Sequence, residues 1–266
     1  MIRRLALVGL GLLGGSVAKA ARADGLADEI VAVGRDRARL EPALRDGVVD
    51  RVSTCLEEGV AGADFCLLAT PVATLTALLP VVWHALPGDA VLTDVGSTKG
   101  FIVETAEGLA RTRPLAFVGS HPMAGSEQSG YTVARVDLFQ GATVVVTPTE
   151  TTELTALKRT TEFWEALGAR VTSLDPETHD RTVAAISHLP HLVACALVDG
   201  ARRVDPAALE LAARGFRDTT RIAAGDPDMW TEIFLANRDV LSASVAAFRE
   251  ALADLERVIA AGATDD

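Results

Sequence analysis

Leu5-Ala6-Leu7-Val8-Gly9-Leu10-Gly11-Leu12-Leu13-Gly14-Gly15-Ser16 is the stretch that decides the fold. Four apolar residues run into G-x-G-x-x-G, and helical spacing then resumes through Ala23. That order reads as a buried strand, a tight turn and a helix. Gly9 suits the turn, Gly11 lets a pyrophosphate approach the backbone, and Gly14 lets helix pack on strand. Leu12 and Leu13 open the helix, whose N-terminus favours phosphate charge. Glycines also serve such turns for packing alone, so the context matters. A second apolar run at 30–33 ends in Val33-Gly34-Arg35-Asp36-Arg37, about twenty residues on, where a ribose-reading acid belongs. Asp36 there favours NAD, whereas Arg35 and Arg37 suit the 2′-phosphate of NADP. The expected cofactor is NAD, with NADP possible through the two arginines.

Outward from this unit, apolar runs at 65–69, 90–93, 116–118 and 143–146 alternate with helical patterns at 13–23, 37–45, 72–86 and 99–109. Continuous apolarity means strands covered on both faces, and the rhythm is that of a parallel, doubly wound α/β sheet of Rossmann-like type. After Leu174 the strands stop. Asp175-Pro176-Glu177 is a helix start, with aspartate as N-cap and proline in the first turn. The expected division is a dinucleotide-binding domain over 1–174 and an all-helical domain over 175–266. Interruptions of the helical pattern fall near Asp205-Pro206, Arg214-Gly215 and Gly225-Asp226-Pro227. The final helix, 238–260, spaces Val240, Leu241, Val245, Phe248, Leu252 and Leu255 along one apolar face, which suggests a homodimer.

The chain has 266 residues and a formal net charge of -11, so it would repel a phosphate backbone, and nucleic acid is not an expected partner. Cys55, Cys66 and Cys195 form no C-x-x-C pair, which suits a reducing cytoplasm and neither a disulfide framework nor a thiolate metal site. The apolar start is cut short by Gly9 and lacks a signal-peptide pattern, and no later segment is expected to cross a membrane.

Ligands of open α/β sheets bind beyond the carboxyl ends of the strands. Three stretches fall there: Thr70-Pro71, Asp94 through Gly100, and Ser120-His121-Pro122-Met123-Ala124-Gly125-Ser126-Glu127. His121 stands among small residues, as though presented to a ligand rather than packed. Ser97 fits either a catalytic role or a cap on the helix that follows. His188 and His191, three apart, fit helix packing, and no third ligand at matching spacing supports a metal. His179 reads as a helix-start or site-wall residue, His84 as structural, and Lys99, one of three lysines, as a helix-start residue.

The blocks "VGLGLLGGS", "TDVGSTKG", "GSHPMAGSEQSG", "HDRTVAAISHLPH" and "GFRDTTRIAAGDPDMW", in this order, resemble the bacterial TyrA family of prephenate and arogenate dehydrogenases across nearly the whole chain. The resemblance implies an oxidoreductase that removes hydride from a cyclohexadienol to NAD, with loss of carbon dioxide. It implies His121 as the catalytic histidine and Ser97 as the serine that bonds the same hydroxyl. Arg221 would hold a substrate carboxylate, with His191, Glu127 and Gly215 also at the substrate. Prephenate, a small dicarboxylate on the route to tyrosine, is the expected substrate, and arogenate the nearest alternative. A β-hydroxyacid dehydrogenase would need a lysine in the helical domain, and none follows Lys158. A serine hydrolase would need a G-x-S-x-G elbow, which is absent. From a different class, a dinucleotide-sensing protein without turnover would keep the glycine turn and lack the reaction.

Overall fold

The structure, a computed structural model, describes residues 1–126 and 128–262. Eight strands form one sheet, and the first of them, β1 (Ile2–Val8), leads through the glycine turn into helix α1 (Leu12–Ala23). The repeat continues with β2 (Ala27–Val33), α2 (Arg37–Arg45), β3 (Arg51–Ser53), α3 (Leu56–Val60), β4 (Phe65–Leu68) and α4 (Val72–Ala85). It is completed by β5 (Val91–Asp94), α5 (Gly100–Ala110), β6 (Ala116–Pro122), β7 (Thr143–Thr147), α6 (Leu154–Ala166) and β8 (Arg170–Ser173).

The strand order is β3-β2-β1-β4-β5-β6-β7-β8. Its first six strands are parallel and reverse direction of winding between β1 and β4, the crevice where dinucleotides bind in such sheets. Buried side chains cover both faces. One layer includes Leu5, Leu7, Ile30, Phe139 and Trp164, and the other includes Leu68, Leu75, Leu79 and Trp83. Each large apolar side chain so buried contributes about 1.5–3 kcal/mol.

Two features depart from the sequence expectation. β3 and β8 were not anticipated, because both are short and partly exposed and lack a continuous apolar run. β7 pairs antiparallel with β6, and β8 follows β7, so the sheet is mixed rather than wholly parallel. Apolarity reports burial and not direction. Among its described residues the connection 123–142 has one short 3₁₀ turn, Tyr131–Val133, and no crossover helix, and the chain returns alongside β6. That connection lies over α1. Arg135 N donates to Ser16 Oγ (2.9 Å), Lys19 Nζ to Ala134 O (2.7 Å) and the Tyr131 hydroxyl to Asp46 (3.0 Å). Burial, then the Asp46 contact, pushes the Tyr131 phenol up to about 12, so it remains a donor at neutral pH.

The chain divides into two compact units, 1–179 and 180–266. Helix α7 (Pro176–Val183) starts as expected: Asp175 Oδ1 accepts from Thr178 N at 2.8 Å. It continues through a π turn (Ala184–His188) into α8 (Leu189–Val204). This continuous stretch, Pro176–Val204, corrects one expectation, because by length and composition it is apolar enough to cross a membrane. Within the helical unit it buries His188 and His191 against protein groups. Asn237 donates to the Asp180 carbonyl at 2.9 Å and lies 3.2 Å from His188 Nδ1, tying the π turn to the far end of the unit. Three helices complete it: α9 (Arg214–Thr220), α10 (Pro227–Ala236) and α11 (Arg238–Ala261). The break expected near Arg214-Gly215 falls at Ala212 and Ala213, and Arg214 opens the helix that follows.

Candidate active site

The glycine turn shows a division of labour. Gly9 has φ +97°, and a Cβ there would stand 2.5 Å from Ala69 O; one on Gly14 would stand 2.0 Å from Gly9 O. Those two glycines are demanded by packing. A Cβ on Gly11 would meet nothing within 4 Å. Its bareness serves open space at the start of α1, where no side chain caps the helix and the first-turn N–H groups of Leu12 and Leu13 precede the first helical bond. Beside the turn, Thr70 Oγ1 is buried with no hydrogen-bond partner among the described residues, and Pro71 precedes α4. An open cradle, donors at a helix start and an orphaned hydroxyl fit a pyrophosphate. Gly11→Ala is therefore expected to cost under about 1 kcal/mol of stability while raising the NAD Kd about tenfold, checked by melting and by fluorescence titration. Gly9→Ala should instead lower the melting temperature sharply.

Asp36 stands just past β2, exposed. Its Oδ1 accepts from Ala38 N at 2.9 Å as the N-cap of α2, and its Oδ2 lies 3.6 Å from Arg39. Capping uses one oxygen and holds the carboxylate in place. Arg37 lies 3.5 Å from Glu41, and Arg35 is exposed.

At the end of β5, Asp94 and Lys99 form an ion pair with both side chains fully buried. Lys99 does stand at the start of a helix, as the N-cap of α5, but nothing in the sequence pointed to this ion pair. The pair is a hub: Asp94 Oδ2 accepts from Gly96 N (2.7 Å), Asp94 Oδ1 from Ser120 N (3.1 Å), and Lys99 Nζ donates to Ser120 O (2.8 Å). Glycine is needed around it, since a Cβ on Gly119 would stand 3.3 Å from Lys99 Cδ and 2.4 Å from Thr147 Oγ1. Thr93 Oγ1 adds a bond to Val118 O at 2.6 Å. Together these contacts pin the residue before His121 to the neighbouring strand. Ser97 lies three residues past β5 and is half-buried, and the N-cap of α5 is Lys99.

His121 is buried at the carboxyl end of β6, opposite Val145 of β7. Its Nδ1 lies 2.9 Å from His179 Nε2. Sequence reasoning missed this contact, since 58 residues separate the two and nothing in either local pattern joins them.

The helical unit holds the remaining candidates. Arg221 is exposed in a 3₁₀ turn (Arg221–Ala224). Nearby, Asp218 pairs with Arg214 at 3.2 Å, and Asp226 caps α10. Gly215 has open space where a Cβ would stand. His191 is buried and stacked on Trp230, with ring centroids 3.7 Å apart and planes 13° apart. Burial pushes its imidazole below the ordinary histidine range, so it is neutral at pH 7. A carboxylate near it must find its positive charge elsewhere. Glu127 lies outside the described residues.

Sheet order, glycine turn and a buried histidine at the carboxyl edge define a dinucleotide-binding oxidoreductase. Two family descriptions match: "Prephenate dehydrogenase, nucleotide-binding domain" over residues 17–173 and "Prephenate dehydrogenase, dimerization domain" over 175–266. The chain belongs to the prephenate dehydrogenase family, in agreement with the resemblance of its motifs. It is 36% identical over 237 residues to prephenate dehydrogenase of Bacillus subtilis, covering 88% of this chain and 64% of that protein, so it spans just under two thirds of that relative's length. It is 33% identical over 276 residues to cyclohexadienyl dehydrogenase of Zymomonas mobilis, covering 100% of this chain and 90% of that one. Among solved structures, Aquifex aeolicus prephenate dehydrogenase in complex with hydroxyphenyl propionate and NAD⁺ superposes with a TM-score of 0.91 at 34% identity, covering 98% and 92% of the two chains.

Proposed function

We propose that the chain oxidises prephenate with NAD and releases carbon dioxide to give 4-hydroxyphenylpyruvate, a step toward tyrosine. The observation that carries this reading is a buried imidazole, His121, held by its strand at the edge of a sheet that bears an open dinucleotide turn. Gly9, Gly11, Leu12, Leu13, Gly14, Thr70 and Pro71 bind the cofactor in this reading, and Asp36 selects NAD by accepting from the ribose. Bound NAD supplies the hydride acceptor.

The residues suit the chemistry. As C4 of the ring loses hydride, the hydroxyl on that carbon becomes acidic, and His121 takes its proton. Ser97 bonds the same oxygen. The carboxylate on the quaternary carbon then leaves as carbon dioxide, its bonding pair makes the ring aromatic, and the proton held by His121 returns to the phenol oxygen. Arg221 holds a carboxylate with a planar, always-charged fork that neutral His191 cannot replace. Gly215, where a Cβ would meet open space, and Glu127, which lies outside the described residues, are assigned to the substrate by the resemblance alone.

Arg221→Ala is expected to act through KM, raising it about 10- to 100-fold, the worth of a charge-assisted bond at an exposed position, with kcat little changed in steady-state assays. Substrate choice is tested by assaying prephenate and arogenate with NAD and NADP at equal concentrations. Turnover of prephenate with NAD supports the reading; preference for arogenate or NADP, or NAD binding without NADH formation, overturns that part of it.

The division near Leu174 belongs to this reading, supported by the short capped turn at Asp175. So does a homodimer: Phe248, Leu252, Leu255, Val258 and Ile259 leave 37–79% of their surfaces exposed along α11, and the matched family domain is described as a dimerization domain. A cytoplasmic setting suits the three free cysteines.

A further inference from the structure

The contact between His121 and His179 has a consequence for the reaction. Both rings are buried, at 9% and 0% exposure, and they meet edge to face at 67° with centroids 5.1 Å apart. We propose that His179 is a positioning residue whose Nε2 accepts a hydrogen bond from His121 Nδ1–H, holding His121 in the tautomer that presents the Nε2 lone pair to the substrate hydroxyl. This rests on the reading of His121 as the base.

A neutral imidazole carries one N–H and one lone pair, and only the form protonated at Nδ1 can collect a proton at Nε2. Something must favour that form. A carboxylate often does so. Here the partner is a second imidazole, which orients the first without adding negative charge to a site meant for a dianion in a chain of net charge -11. When the substrate O–H bond breaks, the proton binds His121 Nε2, and Nδ1–H stays bonded to His179. That bond becomes charge-assisted and steadies the imidazolium until the proton returns to the phenol oxygen.

The pair is held from both sides. His179 sits in the first turn of α7, where its N–H donates to Asp175 O at 2.9 Å and Asp175 Oδ1 caps Thr178. His121 is fixed through Ser120 by the Asp94–Lys99 hub. Among charged groups on the adjoining elements, Asp94 and Lys99 are bonded to each other, and Glu107 of α5 accepts from Thr149. The facing stretch of β7 brings Val144, Val145 and Val146, and α7 carries Glu177, Asp180 and Arg181.

The test compares His179→Leu and His179→Gln in the full chain with prephenate and NAD, measuring kcat, KM, NAD Kd and melting temperature. Leucine removes the acceptor, and is expected to lower kcat about 10- to 100-fold with KM and NAD Kd within about twofold. Glutamine places an amide oxygen near the position of Nε2 and should restore kcat to within about fivefold of wild type. Equal losses in both variants, or full kcat with leucine, overturn the proposal. Should leucine fail to fold, ¹⁵N imidazole spectra of the wild type decide: a proton on Nδ1 of neutral His121 supports the proposal, and one on Nε2 overturns it. His121→Asn is assayed alongside. If that variant keeps full kcat, the reading of His121 as base fails; if it loses kcat while leucine at 179 does not, only the role of His179 fails.

Discussion

Replacing His121 with asparagine is expected to lower kcat by about 10²- to 10⁴-fold, the share of a positioned general base, while NAD binds as before. Asparagine retains polarity and approximate size, so the strand pairing opposite Val145 and the bonds at Ser120 remain. What it cannot do is hold a proton near neutral pH. The loss therefore falls on the chemical step, where the ring hydroxyl must shed its proton as hydride departs, and KM changes little. Single-turnover NADH formation by stopped flow checks the step directly. A kcat within twofold of wild type would remove His121 from the mechanism.

The second large effect concerns stability. Lys99→Met should cost about 3–5 kcal/mol, because it leaves the Asp94 carboxylate buried without its counter-charge. For a chain of this size that is a fall of roughly 6–20 °C in melting temperature. Coulombic attraction is not the reason the pair is worth keeping, since desolvation offsets most of it; the penalty comes from breaking half of it. The double variant Asp94→Asn with Lys99→Met removes the stranded charge and should recover part of the loss. Losing the Lys99 bond to Ser120 O also loosens the residue before His121, so activity at temperatures below the melt should fall as well. Calorimetry of both variants checks this, and a single variant as stable as wild type would contradict it.

Much of this was legible in the sequence, for identifiable reasons. Gly9 through Gly14 lie where strand and helix must join, and local apolar patterns on either side announce the unit. His121 was legible because it follows an apolar run and has small neighbours. What could not be read depends on direction or on distance along the chain. β7 has the same valine run whichever way it points, and β8 is too exposed to stand out. Lys99 looked like a helix-start residue because nothing in "TDVGSTKG" shows that its side chain folds back to Asp94 inside the sheet. His179 was read as a helix-start or wall residue because its partner lies in a strand 58 residues away. Arg221 is the reverse case: no pattern in its own stretch distinguished it from a surface ion pair, and resemblance alone singled it out.

The most direct measurement is a crystal structure of the chain with NAD and 4-hydroxyphenylpyruvate bound. The expected result places a His121 ring nitrogen within about 2.6–3.2 Å of the phenol oxygen, with Arg221 on the carboxylate and the nicotinamide against the ring. A phenol oxygen with no contact to His121, or a product bound away from both the glycine turn and Arg221, would contradict it.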